Sequence, residues 1–469
     1  MFNKKGLNNM NHAKVMFSIV LLILGITGFC PDAYAQPQST KSSIIYFDDL
    51  PGKTDTEKLQ QLPEMLKSKL QTIGPKYSQM GSWPQPGNRY TAIKILFAAR
   101  IYDFRDVPEP VDMGHHFIFE SEGRSIFECG QNGFIRFSCR LARFRGIEFV
   151  GPRNNVPPLI IYSAGEPKKW KPTKNNAKPG EKPDWTFIKA GQDEEMAWGE
   201  TDDGGDVLIE NCYFKGFGVA IRTRPGQHTA PGTIRVVGSV FYNVRQMSDY
   251  LVSDECTLEQ SWFTPSMESD LAFIVNMDGL RIRDCTFTPQ SEAGEYKNMR
   301  WIDNYGWFLD IAGSRFGNES VNKKDPLDGE QISLVYNYAK FLLPWTNSEK
   351  THELENDKNY IMVRDNWLYT RNVPVIKFFE IPNHVSVTGN NGLTGNYKTL
   401  ADGKEHDSSV LFEFTPTCTM PTLEMKPYIL FTIFDNIRSQ KITKDNPDYL
   451  PEPLCYFGPE IRGFKKQSN

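Results

Sequence analysis

The stretch Leu280-Arg-Ile-Arg-Asp-Cys-Thr-Phe287 decides how the chain is read. Apolar and charged residues alternate, a small residue (Cys285) follows, and an aromatic stands two positions further on. Period-two alternation marks a strand with one buried face, and a small residue between two short strands suits a sharp bend. The same frame recurs upstream as Phe144-Arg-Gly-Ile-Glu-Phe149, Val207-Leu-Ile-Glu-Asn-Cys-Tyr-Phe214, Ile234-Arg-Val-Val-Gly-Ser-Val-Phe241 and Thr257-Leu-Glu-Gln-Ser-Trp-Phe263. Downstream it recurs as Phe308-Leu-Asp-Ile-Ala-Gly-Ser-Arg-Phe316, Ile361-Met-Val-Arg-Asp-Asn-Trp-Leu368 and Val385-Ser-Val-Thr-Gly-Asn-Asn-Gly392. The turn position falls at Cys212, Ser239, Ser261, Cys285, Ser314, Asn366 and Asn390, with gaps of 27, 22, 24, 29, 52 and 24 residues.

Two short strands around a tight turn, repeated every ~20–30 residues, are the signature of a parallel β-solenoid. The gap of 52 predicts two coils, with Gln331-Ile-Ser-Leu-Val-Tyr336 supplying a strand of the intervening one. Eight or nine coils, each adding ~4.8 Å, make a rod of roughly 40 Å. The aromatic position predicts an internal ladder of stacked Phe rings. Cys212 and Cys285 are then small buried members of the turn stack, with no metal or redox role. An antiparallel sandwich is the competing reading, and so many matches to one frame weigh against it.

Composition agrees with a large repetitive fold. Of 469 residues, 39% are hydrophobic and 13% aromatic, which excludes wholesale disorder, collagen and coiled coil. A net charge of −4 gives no global reason to expect nucleic acid as a partner. Lys4, Lys5 and Lys14 precede an apolar run from Val15 to Phe29, and Ala33-Tyr34-Ala35 follows. This pattern predicts a secretory signal peptide over residues 1–35. Phe29 before Cys30 argues against a lipoprotein site. Cleavage removes Lys4, Lys5, Lys14 and Asp32, leaving 434 residues at −6. The expectation is a secreted or periplasmic protein with no membrane association after signal removal. The seven cysteines that remain form no CxxC pair and no disulfide framework, and Cys418 and Cys455 are the only pair expected to bridge.

Over roughly residues 100–400 the repeat resembles the right-handed parallel β-helix of the pectin-lyase-like superfamily. The approach to it agrees. Thr54-Asp-Thr-Glu57 opens an amphipathic helix with Leu59, Leu62, Met65, Leu66 and Leu70 on its apolar face, and Pro63 is expected to kink or split it. Strands are expected at Ala92–Ala98 and His116–Phe119. In such proteins a D-T-x-x-L helix caps the open end and shields its sheet edges. The resemblance implies an all-β fold: a single right-handed parallel β-helix with an N-terminal helical cap. Its parts would be a cap region at 36–100, the β-helix at 101–400 with a loop insertion at 165–206, and a Pro-rich C-terminal capping segment at 401–469.

In that superfamily the repeated frame corresponds to the second and third strands of a coil, and the strand before it lines the substrate groove. This first sheet would comprise Val219–Arg224, Tyr250–Asp254, Phe273–Asn276, Trp301–Tyr305, Ile332–Tyr338 and Val375–Glu380. Alternation is expected to send Arg222, Arg224, Asn276, Asn304, Asn337 and Lys377 outward, beside Asp254, Asp303, Tyr305 and Tyr338. Such a row suits cleavage of an anionic polysaccharide. A lyase must neutralise a uronate carboxylate, remove the neighbouring proton and protonate the leaving oxygen. Arg222, Arg224 and Lys377 are candidates to neutralise or abstract, and Tyr305 or Tyr338 to shuttle the proton. A hydrolase instead needs two carboxylates ~5–10 Å apart, and Asp254 and Asp303, two coils apart, would stand roughly 10 Å from each other.

Family motifs add no catalytic residue, since G-H-G, N-K-S and R-x-G are missing or misplaced. Two loops add candidate binding residues: 165–206, with Lys168, Lys169, Lys171, Lys174, Lys178 and Lys182 beside Trp170 and Trp185, and 339–359 with Lys340 and Trp345. Trp faces stack on sugar rings and Lys attracts an anionic chain. With Tyr305 and Asn337 these form the expected substrate-binding set. No cofactor is expected; Ca²⁺ at Asp254 or Asp303 is the one metal left open. The expected activity is therefore a polysaccharide lyase on an acidic glycan. A β-helix glycoside hydrolase and a non-catalytic, adhesin-like glycan-binding solenoid are the alternatives.

Overall fold

The computed structural model describes residues 44–73, 92–153 (without 115 and 138–140), 158–163, 206–224, 233–290 (without 254 and 267–270), 299–317, 332–339, 359–368, 373–391, 412–415, 418, 430–434 and 455–457. The predicted signal segment and most of both predicted loops lie outside them. The described chain is all-β, with mostly parallel strands in stacked sheets, as a parallel β-helix requires.

The repeated frame forms two of the sheets. In sheet two, eleven strand segments pair in parallel register: Ile93–Phe97, 117–121, 141–145, Asp206–Glu210, Thr233–Val237, Glu255–Glu259, Gly279–Arg283, Phe308–Ala312, Tyr360–Arg364, His384–Thr388 and Leu430–Phe434. Ten strand spacings amount to ~48 Å. Sheet three follows in the same order, from Ile101–Phe104 through Tyr213–Lys215, Val240–Val244, Trp262–Pro265, Thr286–Phe287 and Arg315–Phe316 to Trp367–Leu368. Sheet one has a four-stranded part ending at Ile221–Arg224 and a seven-stranded part from Ser248–Leu251 to Cys455–Phe457; one isolated parallel bridge, Val219–Gln246, stands between them. Parallel pairing thus begins before residue 101 and runs past residue 400.

The corner between sheets two and three explains the repeated turn residue. The residue before it is left-handed in every copy from Asn211 to Gly389, with φ of 52° at Asn211, 51° at Asp284 and 62° at Gly313. Asn, Asp and Gly tolerate that conformation best. At Gly313 the absent side chain also leaves room for a carboxylate: a Cβ there would lie 2.4 Å from Asp284 Oδ1, which would have to shift. The turn residues themselves point inward and stitch the rungs. Cys212 N–H donates to Ser239 Oγ (3.1 Å), Cys285 N–H to Ser314 Oγ (3.0 Å), Ser314 N–H to Asn366 Oδ1 (2.9 Å) and Asn366 N–H to Asn390 Oδ1 (3.0 Å).

Two residues past the turn, the expected ladder is present. Phe149, Phe214, Phe241, Phe263, Phe287 and Phe316 stack face to face at successive centroid distances of 4.9, 4.5, 5.1, 4.5 and 4.4 Å. They join side chains from all three sheets in one buried cluster.

Three expectations are corrected. The 52-residue gap is a single coil, because Phe308–Ala312 pairs directly with Tyr360–Arg364 and Arg315–Phe316 with Trp367–Leu368. Ser333–Asn337 is the sheet-one strand of that same coil, and the extra length lies on either side of it. Helix α1, Asp55–Ile73, runs through Pro63 without a break. Loss of one helical hydrogen bond, ~3 kcal/mol with the ring clash, is outweighed by burial of Leu59, Leu62 and Leu66 at ~1.5–3 kcal/mol each. Arg100 ties the helix start to the strands, with its guanidinium against Asp55 (2.7 Å) and Asp48 (2.5 Å). Finally, Cys418 is a free, buried thiol, so no Cys418–Cys455 bridge forms.

Burial pushes the thiols of Cys212, Cys285 and Cys418 up to about 12, and raises those of Cys129 and Cys256 as well. A thiol reagent at pH 8 should therefore leave all five unmodified in the native chain and label all five in denaturant, as read by peptide mass mapping. Rapid native labelling of Cys212 or Cys285 would contradict their place in the turn stack.

Candidate functional site

Sheet one presents two kinds of column. Ile274, Ile302, Val335 and Ile376 are aligned and lie in the buried cluster, and two residues further on stand Asn276, Asn304 and Asn337. The residues between form the opposite column, Val275–Asp303–Tyr336–Lys377–Glu413, one per strand.

The asparagines are therefore corrected: they face inward. Asn276, Asn304 and Asn337 are each fully buried. Asn276 Nδ2 donates to Asn304 Oδ1 (2.7 Å), Asn304 Nδ2 to Asn337 Oδ1 (2.9 Å), and Asn337 Nδ2 to the carbonyls of Glu380 (2.7 Å) and Ala339 (3.1 Å). Each amide satisfies its neighbour and the backbone that turns out of sheet one, so Asn337 is a structural residue and no substrate ligand. The asparagines stand two positions beyond the core-facing Ile274, Ile302 and Val335 and so share that face; in a period-two strand a slip of one position is a change of face.

Arg222 is also corrected. Its Nε donates to Asp249 Oδ1 (2.8 Å) and its Nη2 to Asp249 Oδ2, with both side chains buried at 1% and 4% exposure. Arg222 stands five strand spacings from Lys377, about 24 Å, so these two cations cannot serve one bond. Arg224 closes the Ile221–Arg224 strand opposite Ser163. Asp254, Trp170, Trp185, Lys340 and Trp345 lie outside the described residues.

Four expected residues do come together, and four unexpected ones join them. Arg300 grips Asp303 with two hydrogen bonds, Nε to Oδ1 (2.7 Å) and Nη2 to Oδ2 (2.5 Å), both groups buried. Burial pushes the Asp303 carboxyl up, and the Arg300 guanidinium, which Asp303 in turn holds charged, pulls it back. Tyr336 sits between two cations: the Arg300 guanidinium is 5.4 Å and the Lys377 ammonium 5.8 Å from its ring centre. Burial raises the Tyr336 phenol, with both cations opposing. Lys377 pairs with Glu413 at 3.0 Å, at 25% and 13% side-chain exposure.

Beside this column Tyr305, Tyr338 and Phe379 stack at 4.5 and 4.7 Å with nearly parallel rings, each half-buried. Burial, then the Asp303 charge, holds the Tyr305 phenol far up. Together these groups offer a ridge of stacked aromatic rings and a tyrosine flanked by two cations. They do not offer a hydrolase pair, since Asp303 and Glu413 are three strand spacings apart, ~14 Å, beyond the ~6.5–9.5 Å of inverting carboxylates.

Arg300, Tyr336, Phe379 and Glu413 were missed by sequence reasoning. Tyr336 and Phe379 lay inside the expected strands but were not assigned to a face. Arg300 preceded its expected strand by one residue, and Glu413 lay in the segment read as a closing cap. A shift of one in register would have found Tyr336, and Phe379 stands two positions beyond Lys377 on the face already expected to point outward.

Compared with family models, curated proteins and solved structures, the chain has no match. The resemblance to pectin-lyase-like proteins therefore stands on the repeat and its geometry alone.

Proposed function

We propose that the chain is an exported polysaccharide lyase that cleaves an acidic, uronate-containing glycan on sheet one. In the same proposal the three sheets belong to one right-handed coil, closed at its N-terminal end by α1. Parallel crossovers are right-handed in nearly all known cases. The buried face of α1, pinned through Arg100, would protect the first rung. The export half rests on the pattern in residues 1–35.

The observation that carries the reading is the aligned row Asp303–Tyr336–Lys377–Glu413 beside the Tyr305–Tyr338–Phe379 stack. The rings of the stack lie against one another, so the row offers a sugar chain a ridge of ring edges, and Lys377 suits an anionic chain. In β-elimination the Lys377 ammonium first passes a proton to Glu413, and the freed amine takes the proton α to the carboxylate while Tyr336 gives its phenolic proton to the departing oxygen. The C–O electrons leave with that oxygen, and the C–H pair becomes the new double bond. Lys377 then returns a proton to the Tyr336 phenolate, which the two flanking cations stabilise in the meantime. The raised Tyr336 phenol fits the acid role, because it stays protonated at neutral pH.

A non-catalytic glycan-binding protein is the second reading. What favours it is that Arg222 and Arg300 are each held by a buried carboxylate. Incubation with a panel of uronate polysaccharides separates the readings. The proposal expects ultraviolet absorbance from unsaturated ends to rise together with reducing ends. Reducing ends without absorbance mean hydrolysis, and silence in both across the panel leaves glycan binding alone.

A further inference from the structure

Sheet three carries a second row of aromatic side chains, on the face opposite the Phe ladder. Register aligns Tyr213, Val240, Trp262, Thr286, Arg315 and Trp367 across six neighbouring strands. Each immediately precedes a buried ladder residue, so alternation turns all six outward. Trp262 is 50% exposed and Trp367 43%, and Tyr242, next to Tyr213's column on the Val240–Val244 strand, is 41% exposed. The Trp262 indole N–H donates to Thr264 Oγ1 at 3.0 Å, which fixes the ring. Exposed tryptophans are costly to present to water, and the rest of this row is polar or half-buried.

From this row we infer a second glycan-holding surface, on sheet three, that binds an extended polysaccharide chain lying across the strands. The spacing fits a linear ligand. One strand spacing, ~4.8 Å, is close to the length of one sugar residue in an extended chain. Tyr213 and Trp262 are two spacings apart (~10 Å) and Trp262 and Trp367 three (~14 Å), so each ring meets a sugar in the same phase. Thr286 and Arg315 fill the rungs between with hydrogen-bonding groups for hydroxyls or carboxylates.

The area argues against a second copy of the chain as occupant. A strip ~24 Å long and one or two residues wide covers on the order of 300 Å², against ~800 Å² per partner in a stable protein interface. Single-stranded nucleic acid also stacks on aromatics but needs a basic groove, and the chain is acidic at −4. The inference rests on the glycan reading for its ligand class, but on different residues and a different face.

The test uses the full chain, with Trp262→Ala and Trp367→Ala alone and together, against Tyr336→Phe on sheet one. Binding is read by affinity electrophoresis in gels containing each polysaccharide of the uronate panel. Each tryptophan change should weaken binding about tenfold, while Tyr336→Phe, which removes one hydroxyl, leaves retardation largely intact. Trp262→Tyr, which keeps a stacking ring, should retain most of it, and thermal melts should match the wild type. If sheet one is a lyase, cleavage of oligosaccharides too short to span both faces should be unaffected by the tryptophan changes. Unchanged retardation in the double variant would overturn the inference, as would absence of retardation of the wild type by every polysaccharide. A dimer in light scattering that the double variant abolishes would overturn it in favour of a second copy. Because the binding readout needs no turnover, failure of the lyase proposal leaves this test intact.

Discussion

Phe263→Ala is expected to lower the stability of the folded chain by about 3–5 kcal/mol, the range for truncating a buried aromatic. Phe263 is fully buried between Phe241 at 5.1 Å and Phe287 at 4.5 Å, and Phe273 meets its edge at 6.0 Å. The rungs above and below are held apart by strand pairing, so the vacated space cannot collapse, and the two ring stacks are lost with the transfer energy. Placement at the centre of the ladder should push the value to the upper half of that range. Its chain neighbour supplies the control: Trp262 lies half exposed on the opposite face, and Trp262→Ala should cost less than about 0.5 kcal/mol. Denaturant melts of both variants measure the difference. A small loss at Phe263 with a large one at Trp262 would mean that the faces of sheet three are assigned the wrong way round.

Sheets two and three were legible in the sequence because three independent constraints coincide at one corner. The left-handed residue, the small inward turn residue and the stacked Phe each restrict the residue types allowed, and together they repeat visibly from Asn211 to Gly389. Sheet one was legible as strands but not as faces. Its corner uses Asn276, Asn304 and Asn337, polar residues that read as surface until their amides are seen to satisfy one another. Buried ion pairs conceal the other half: nothing local in the sequence says that Arg222 meets Asp249 27 residues on, or that Arg300 meets Asp303. Coil length misled for a simpler reason. Insertions on both sides of Ser333–Asn337 double the spacing without adding a rung.

Tyr336→Phe should reduce polysaccharide cleavage by ~10²–10⁴-fold, the usual contribution of a positioned general acid or base. The substitution removes one hydroxyl and keeps the ring against Arg300 and Lys377, so both stability and glycan binding should change little. Sign follows from environment. Burial raises the phenol above the ordinary tyrosine value of ~10, so the proton it donates remains in place across neutral and mildly alkaline pH. Loss of the acid form should appear only above that ordinary value, and a fall in rate with a midpoint near neutrality would point to a different acid. Lys377→Met should also abolish turnover, and in addition should leave Glu413 at its 13% exposure without its cation. It is therefore expected to destabilise as well, which makes Tyr336→Phe the cleaner change.

The most direct measurement is the initial rate of ultraviolet absorbance from unsaturated sugar ends, for the wild type and Tyr336→Phe on the same uronate polysaccharide at equal folded concentration. A clear wild-type rate, reduced at least ~100-fold in the variant with KM within a few-fold, is the predicted result. A variant that cleaves as fast as the wild type would remove the reaction from sheet one's Tyr336, and a wild type that produces no absorbance on any uronate polysaccharide would contradict the lyase reading itself.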